Sequence, residues 1–437
     1  MHPVLYYIML RLFSLIFGNS IITFRLFSII PLIIMSVLGI THIKKDYGIK
    51  TGLLFSFFTY ILPTVAIYAI QIRMYTWVML FVTLMCIYAN RLIKQKYILK
   101  NYILFSFFSI CSSYTHYYGL LTAVIVNVLI FTFFIKNKSI KRKELKAFVI
   151  FATIQIAIYF PWIFKLINQF LEVKSGYWIK LEFPETLYNV LGMQFIGNFS
   201  NVFGFFFATF FYVYLVYKIF KLKKLGINLK ESKKSICIYL SVILIAFFIS
   251  LKSPILYSRY LMSITGLLIF FISSIIAKEN KNIKIILICT VFVIISSVSN
   301  YRSIITNYDE TNMKQISYLK ENIKNEDIII YQDIGIGSVF AIHFKENKQY
   351  FYNKENWNVK EAYEAYLPSM QTVTNLNFLQ NYKGRVWLID YNKNLYNQTF
   401  NNLNYVLLDE KNITTKYPSI FDTKYSGYTY DLILLEK

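Results

Sequence analysis

From residue 21 to residue 303 the chain alternates long apolar runs with short polar breaks, the pattern of helices that cross a bilayer. About 30 Å of hydrocarbon takes roughly 17 to 25 helical residues. Ten runs fit, over 21–41, 51–72, 75–93, 101–117, 118–135, 147–167, 199–220, 235–252, 260–277 and 283–303. Some abut, as between His116 and Gly119, and Pro63 and Pro161 stand where two of them can break. His2 to Phe17 is too short to span and is interrupted by Arg11, so it reads as an amphipathic helix along the outer surface, with Pro3 in its first turn. Asn168 to Asn198 reads as a long external loop.

After Tyr308 the apolar runs shrink to strand length: Asp327–Tyr331, Arg385–Ile389, Tyr405–Leu408 and Tyr430–Leu435. Helical patterning lies between them, in Met313–Lys324 and Ser369–Tyr382. The expected architecture is an all-α polytopic membrane domain followed by a small α/β domain. The divisions are 1–20 for the surface segment, 21–303 for the spans and 309–437 for the α/β domain.

Composition sharpens this picture. With 56% hydrophobic and 16% charged residues in 437 positions, an ordinary soluble enzyme is excluded. Up to Tyr308 there are 32 Lys and Arg against 7 Asp and Glu; beyond it there are 14 against 16, so the whole positive excess belongs to the spans. The basic residues fall in alternate loops: Lys44/Lys45/Lys50, Arg91/Lys94/Lys96/Lys100, Lys136 to Lys146, Lys218 to Lys234, and Lys278/Lys281/Lys284. Lys and Arg stay on the cytoplasmic side, which turns those loops inward, beside anionic lipid headgroups, and the intervening ones outward. Both chain ends and the α/β domain then lie outside the cell.

Nucleic acid is a poor partner for charge scattered among apolar spans. Cys86, Cys111, Cys237 and Cys289 all sit inside apolar runs without CxxC spacing, which supports neither a disulfide framework nor a zinc site. No positive n-region or cleavage site marks a signal peptide.

The outward loops gather the candidate chemistry: His2-Pro3 with Tyr6-Tyr7, Arg73 with Tyr75, the run Tyr114 to Tyr118, and Lys252 with Arg259-Tyr260. One Arg at a membrane boundary usually snorkels to headgroups. Arg73 and Arg259 together, on a face otherwise poor in cations, point to a phosphate held by guanidinium forks. The tyrosines fit sugar hydroxyls or pyranose faces, or equally the aromatic belt of any such protein. His116 fits a proton carrier near neutral pH or a structural hydrogen bond. Glu172, Glu182 and Glu185 are the carboxylates of an outward membrane-domain loop; each is a candidate general base or a plain surface residue.

These residues carry a resemblance. His2-Pro3-Val4-Leu5, Phe17-Gly18-Asn19-Ser20 and Arg25-Leu26 resemble the segment opening the first long outer loop of family 39 glycosyltransferases of the GT-C class. That family groups with protein O-mannosyltransferases and lipid A aminoarabinose transferases. The similarity continues through Arg73-Met-Tyr75, Tyr114-Thr-His116-Tyr117, Ser253-Pro254 and Arg259-Tyr260-Leu261, and ends in an external C-terminal domain. Val4 stands where a second Pro is usual. Family members also carry, upstream of the His-Pro segment, one more span and an acidic motif whose Asp acts as general base. This sequence starts at Met1, directly on the His-Pro segment, and has neither. The Asp expected upstream of Met1 is thus absent and the catalytic base has no assigned residue, which makes a truncated or catalytically degenerate chain the expectation.

The resemblance implies transfer of a sugar from a polyprenyl-phosphate donor to an extracytoplasmic acceptor, without a metal or other cofactor. It assigns donor binding to His2, Arg73, Tyr75, His116, Tyr117, Arg259 and Tyr260. Cationic side chains would stabilise the leaving phosphate and a carboxylate would take the acceptor's proton. Three other readings remain. A flippase for lipid-linked sugar would want ionisable residues within spans and broken helices. A polysaccharide polymerase or ligase lacks the His-Pro opening and the external tail, and a non-catalytic membrane scaffold fits the missing acidic segment.

Overall fold

The computed structural model describes residues 3–94, 98–137, 142–175, 181–196, 201–307, 310–354, 370–391, 393–414 and 429–437. The chain divides into two compact units, residues 1–303 and 304–437.

The first unit is helical. Among the described residues, eight helices are long and apolar enough to cross a membrane: Ile21–Tyr47, Tyr75–Lys94, Tyr117–Lys136, Arg142–Leu171, Phe203–Lys224, Lys230–Ser250, Ser258–Ile276 and Asn282–Ile304. A ninth is the broken pair Ile49–Ile61 and Pro63–Ala69, bent by 60°. The bend follows from Pro63, which lacks an N–H and holds Leu62 extended at φ −67° and ψ 120°. Pro161 does not break its helix, which runs unbroken over Arg142–Ser175. The tenth predicted run is the helix Leu99–Thr115, whose 17 residues are at the lower limit for a span.

Burial ranks the helices. Inside the unit, 89% of the apolar stretch of Ser258–Ile276 and 67% of that of Tyr75–Lys94 is buried, against 17% for Arg142–Leu171 and 17% for Asn282–Ile304. The first two therefore form the centre, and the last two present apolar side chains outward, as a lipid-facing helix must. Glycines permit the closest approaches. A Cβ at Gly119 would collide with the carbonyl oxygen of Ser112, so the Tyr117–Lys136 helix can lie against Leu99–Thr115 only with glycine there.

The described parts of the five basic loops meet at one end of this unit. Arg91 pairs with Asp46 at 3.0 Å, Lys94 and Lys234 both reach Glu231 at 3.4 Å, and Lys218 pairs with Glu279. Lys50 donates to Asn282 at 3.1 Å, and the Tyr102 hydroxyl donates to the Glu144 carbonyl at 3.3 Å. Among the described residues of the expected external loop 168–198, most are helical instead, because Arg142–Ser175 continues past its apolar stretch and Glu185–Ile196 forms a second helix. Near the N-terminus, Leu5–Phe17 is helical as expected; the rings of Tyr6 and Phe13 pack on Phe27 while Leu12, Leu15 and Ile16 are exposed.

Among its described residues the second unit is a six-stranded sheet in the order β3-β2-β1-β4-β6-β5, with β1 Ile328–Tyr331, β2 Lys348–Tyr352, β3 Met370–Val373, β4 Arg385–Asp390, β5 Val406–Thr414 and β6 Thr429–Glu436. The first four strands are parallel and β6 runs antiparallel to β4 and β5. The central strands are buried on both faces, which is why β1 is a continuous Ile-Ile-Ile-Tyr run. Ile316, Leu319 and Phe340 cover one face; Leu376, Leu395 and Phe400 cover the other. The helix expected over Ser369–Tyr382 is instead strand β3 followed by a 3-10 turn at Asn377–Gln380, because parallel pairing with β2 outweighs local helical periodicity.

Candidate functional site

The end of the helical unit opposite the basic loops collects aromatic and cationic side chains from four separate stretches. Tyr75 opens one central helix and the turn Ser258–Leu261 opens the other. His116 sits in extended backbone between two helices and caps the second, its Nδ1 accepting from the Tyr118 N–H at 3.1 Å. Three helices thus begin at this end, and their N-termini carry partial positive charge.

Around those starts the rings touch. His116 lies 6.0 Å from Tyr75, 5.7 Å from Tyr118 and 5.2 Å from Tyr260, centroid to centroid. Tyr68, from the segment beyond the Pro63 bend, lies 5.3 Å from Tyr75. The Arg259 guanidinium carbon stands 4.8 Å over the ring of Tyr257 and 5.7 Å over that of Tyr260, a cation–π stack that fixes its plane. Arg73 is exposed at the rim. Arg73 stands two residues before Tyr75, in the bend that leads into its helix. Positive helix ends and two guanidinium groups together suit an anion.

Burial pushes the His116 imidazole from its ordinary 6.5 down to about 3, and the neighbouring Arg259 charge adds to the effect. The ring is neutral at physiological pH. With Nδ1 accepting from Tyr118, its proton is on Nε2. Of the two readings of His116, the geometry supplies the structural one directly.

Not every sequence-predicted residue joins this group. Tyr75, His116, Arg259 and Tyr260 do, and Arg73 lies two residues before Tyr75. Tyr117 faces the neighbouring helix, where its hydroxyl bonds to Gln169 and accepts from Trp162 at 3.3 Å. Consecutive residues at a helix start diverge by about 100°, so Tyr118 turns toward the cluster instead. Met1 and His2 lie outside the described residues, as does the Glu172 side chain. Glu182 donates its backbone N–H to the Thr186 hydroxyl at 3.1 Å, and Glu185 lies in the first turn of Glu185–Ile196. That helix packs on Pro63–Ala69 and on the turn Ser258–Leu261, two elements of the cluster.

Tyr68 and Tyr257 are members the sequence did not single out, and Tyr118 entered only as the end of the run Tyr114 to Tyr118. The signal for Tyr118 and Tyr257 was adjacency to His116 and Arg259; for Tyr68 only the Pro63 break shows where it is carried.

In the second unit, the Gly335-Ile336-Gly337 stretch follows β1 but is no phosphate loop. The Asp333 side chain takes the Ile336 N–H at 2.9 Å, a position a phosphate oxygen would need. At the end of β4, Asp390 accepts from the N–H groups of Tyr391, Leu395 and Tyr396, while burial raises its pKa. Its register partner Asp431 takes the Lys393 N–H and the Asn412 amide. These carboxylates are committed to loop structure.

The fold is GT-C-like: a polytopic helical unit with a small sheet domain after it. Its overall course is similar to the crystal structure of ArnT from Cupriavidus metallidurans in the apo state, with a TM-score of 0.50 over 99% of this chain and 87% of that one, at 7% identity. Likeness at that identity is one of fold. No protein-family model and no curated protein sequence matches the chain.

Proposed function

We propose that this chain is a membrane glycosyltransferase that takes a sugar from a polyprenyl-phosphate-linked donor and passes it to an extracytoplasmic acceptor of the cell envelope. The observation that carries the reading is the cluster in which the Arg259 guanidinium stacks over Tyr257 and Tyr260 beside His116 and Tyr75, at the start of the most buried helices and away from the basic loops. The lipid phosphate is the leaving group. Arg259, held flat by Tyr257 and Tyr260, and Arg73 at the rim would stabilise the charge that develops on it. Tyr75, Tyr260 and the neutral Nε2–H of His116 offer donors to sugar hydroxyls. Among the assigned residues His2 and Tyr117 are proposed only as outer contacts. The acceptor's proton falls to Glu172, Glu182 or Glu185, of which Glu185 opens the helix packed on the cluster.

In orientation, the basic end faces the cytoplasm and the aromatic end faces outward, with the α/β domain extracytoplasmic. The partners are then the lipid-linked donor, surrounding membrane lipid and the acceptor, with no nucleic acid.

The test is to reconstitute the full chain in proteoliposomes with undecaprenyl-phosphate-linked sugars and an envelope fraction as acceptor. Release of undecaprenyl phosphate with sugar recovered on the acceptor is the expected result. The 60° break at Pro63 favours one alternative, a flippase, since broken helices serve transport. Movement of the intact lipid-linked sugar between leaflets, with no bond cleaved, would establish that alternative and end the transferase reading.

A further inference from the structure

We infer that Tyr118 is a positioning residue for Arg259, acting through the backbone of the 251–257 loop and the ring of Tyr260; the inference rests on the donor-phosphate reading of the same cluster. The loop joins the helix Lys230–Ser250 to the turn that carries Arg259. Side chains from outside the loop hold three backbone groups at Ile255 and Leu256. The Ser250 hydroxyl accepts from the N–H of Ile255 at 3.0 Å and of Leu256 at 2.7 Å. The Tyr118 hydroxyl donates to the Ile255 carbonyl at 2.9 Å. Ser250 belongs to the loop's own helix, whereas Tyr118 comes from a helix far away in sequence and so ties the loop to the rest of the site.

The ring of Tyr118 adds a second constraint. It lies 5.7 Å from the Tyr260 ring, one of the two over which the Arg259 guanidinium stacks, and 5.7 Å from His116. Its own place is fixed, because its N–H is donated to His116 Nδ1 and the residue is buried, at 4% exposure. A guanidinium fork gains from pairing with phosphate only if its plane is set beforehand. Tyr118 sets that plane without touching the ligand.

Tyr118→Phe keeps the ring and removes the hydroxyl. The measurement uses the full chain in dodecylmaltoside micelles, with undecaprenyl phosphate as probe and undecaprenol as its uncharged control. Losing one neutral hydrogen bond is expected to weaken undecaprenyl phosphate binding about fivefold. Undecaprenol binding and the melting temperature should hold. Without ligand, backbone amides of the 251–261 peptide should exchange hydrogen faster than in the wild type. Tyr102→Phe, which removes a similar tyrosine-to-carbonyl bond at the basic end, should change neither.

Unchanged exchange in the 251–261 peptide overturns the inference, as does equal weakening of both lipids or an equal effect of Tyr102→Phe. If exchange accelerates as expected but the wild type binds undecaprenyl phosphate no better than undecaprenol, Tyr118 keeps its positioning role. The donor-phosphate reading is then the part that fails.

Discussion

The rings of His116 and Tyr260 lie 5.2 Å apart and are both buried, yet they come from opposite halves of the membrane unit. Their contact joins the start of the Tyr117–Lys136 helix to the turn before Met262–Ile276. Arg259 projects from that same turn, so whatever holds His116 against Tyr260 also holds the cation.

Arg259→Ala should lower transfer from an undecaprenyl-phosphate sugar by about 10²-fold, the scale for losing one preorganised stabiliser of developing charge. Arg259→Lys should restore little, because an ammonium keeps the charge but not the planar stack over Tyr257. Arg73→Ala should cost less, since Arg73 is exposed and water screens it. Rates normalised to protein level check the order; a full-rate Arg259→Ala would remove the phosphate assignment.

His116 gives a signed pH prediction. Its folded pKa, about 3, is below the 6.5 of the unfolded chain, so between those values the unfolded state binds more protons. Its contribution to stability is complete above pH 6.5 and is lost as pH falls toward about 3. Asn keeps the helix cap without a titrating group. The melting temperature of His116→Asn should therefore fall less than that of the wild type between pH 7.5 and pH 4.5. Equal falls would mean the ring is not held neutral.

Much of the helical unit was legible because spans announce themselves by length and apolarity, and nine of the ten runs meet both as described helices or a bent pair. Placement of Arg259 beside a tyrosine ring was legible too, since Tyr260 follows it directly. Three features were not. The helices over 168–175 and Glu185–Ile196 were hidden by their polar residues, which helix packing tolerates. Strand β3 was hidden because Met370–Val373 is only four residues long and owes its form to β2. The choice of Tyr118 over Tyr117 depends on the rotation of a helix about its axis, which His116 sets by capping and which no linear pattern encodes.

Gly119→Ala should destabilise the unit by about 1–3 kcal/mol, the usual cost of overpacking, because the new methyl meets the Ser112 carbonyl oxygen and the side chain of Val78. Backbone cannot yield as a side-chain tip can. Thermal unfolding in detergent measures it, and Gly226→Ala is the comparison: that site has open space around it but a φ of +70°, so its strain is purely local.

Orientation is tested with single cysteines in a background whose four native cysteines are replaced. Lys252→Cys is at the aromatic end and Lys45→Cys at the basic end, both exposed. An impermeant maleimide added to intact cells should label the first and not the second, and Tyr308→Cys should behave like the first. Labelling of Lys45→Cys alone would invert the protein and place the cluster in the cytoplasm.

Lys218 and Glu279 form an ion pair at 7% and 8% side-chain exposure, with the Tyr214 hydroxyl donating to the same carboxylate oxygen at 3.0 Å. Removing one partner strands a buried charge, which costs about 3–5 kcal/mol, whereas removing both can be close to neutral. Lys218→Met should therefore lower the melting temperature sharply, and Lys218→Met with Glu279→Gln should recover most of the loss. Activity of the double variant, assayed below its melting temperature, should match the wild type, because the pair lies at the basic end while the proposed chemistry is at the other. A stable double variant without activity would mean that the two ends are coupled, and the separation of scaffold from site argued from their geometry would have to be given up.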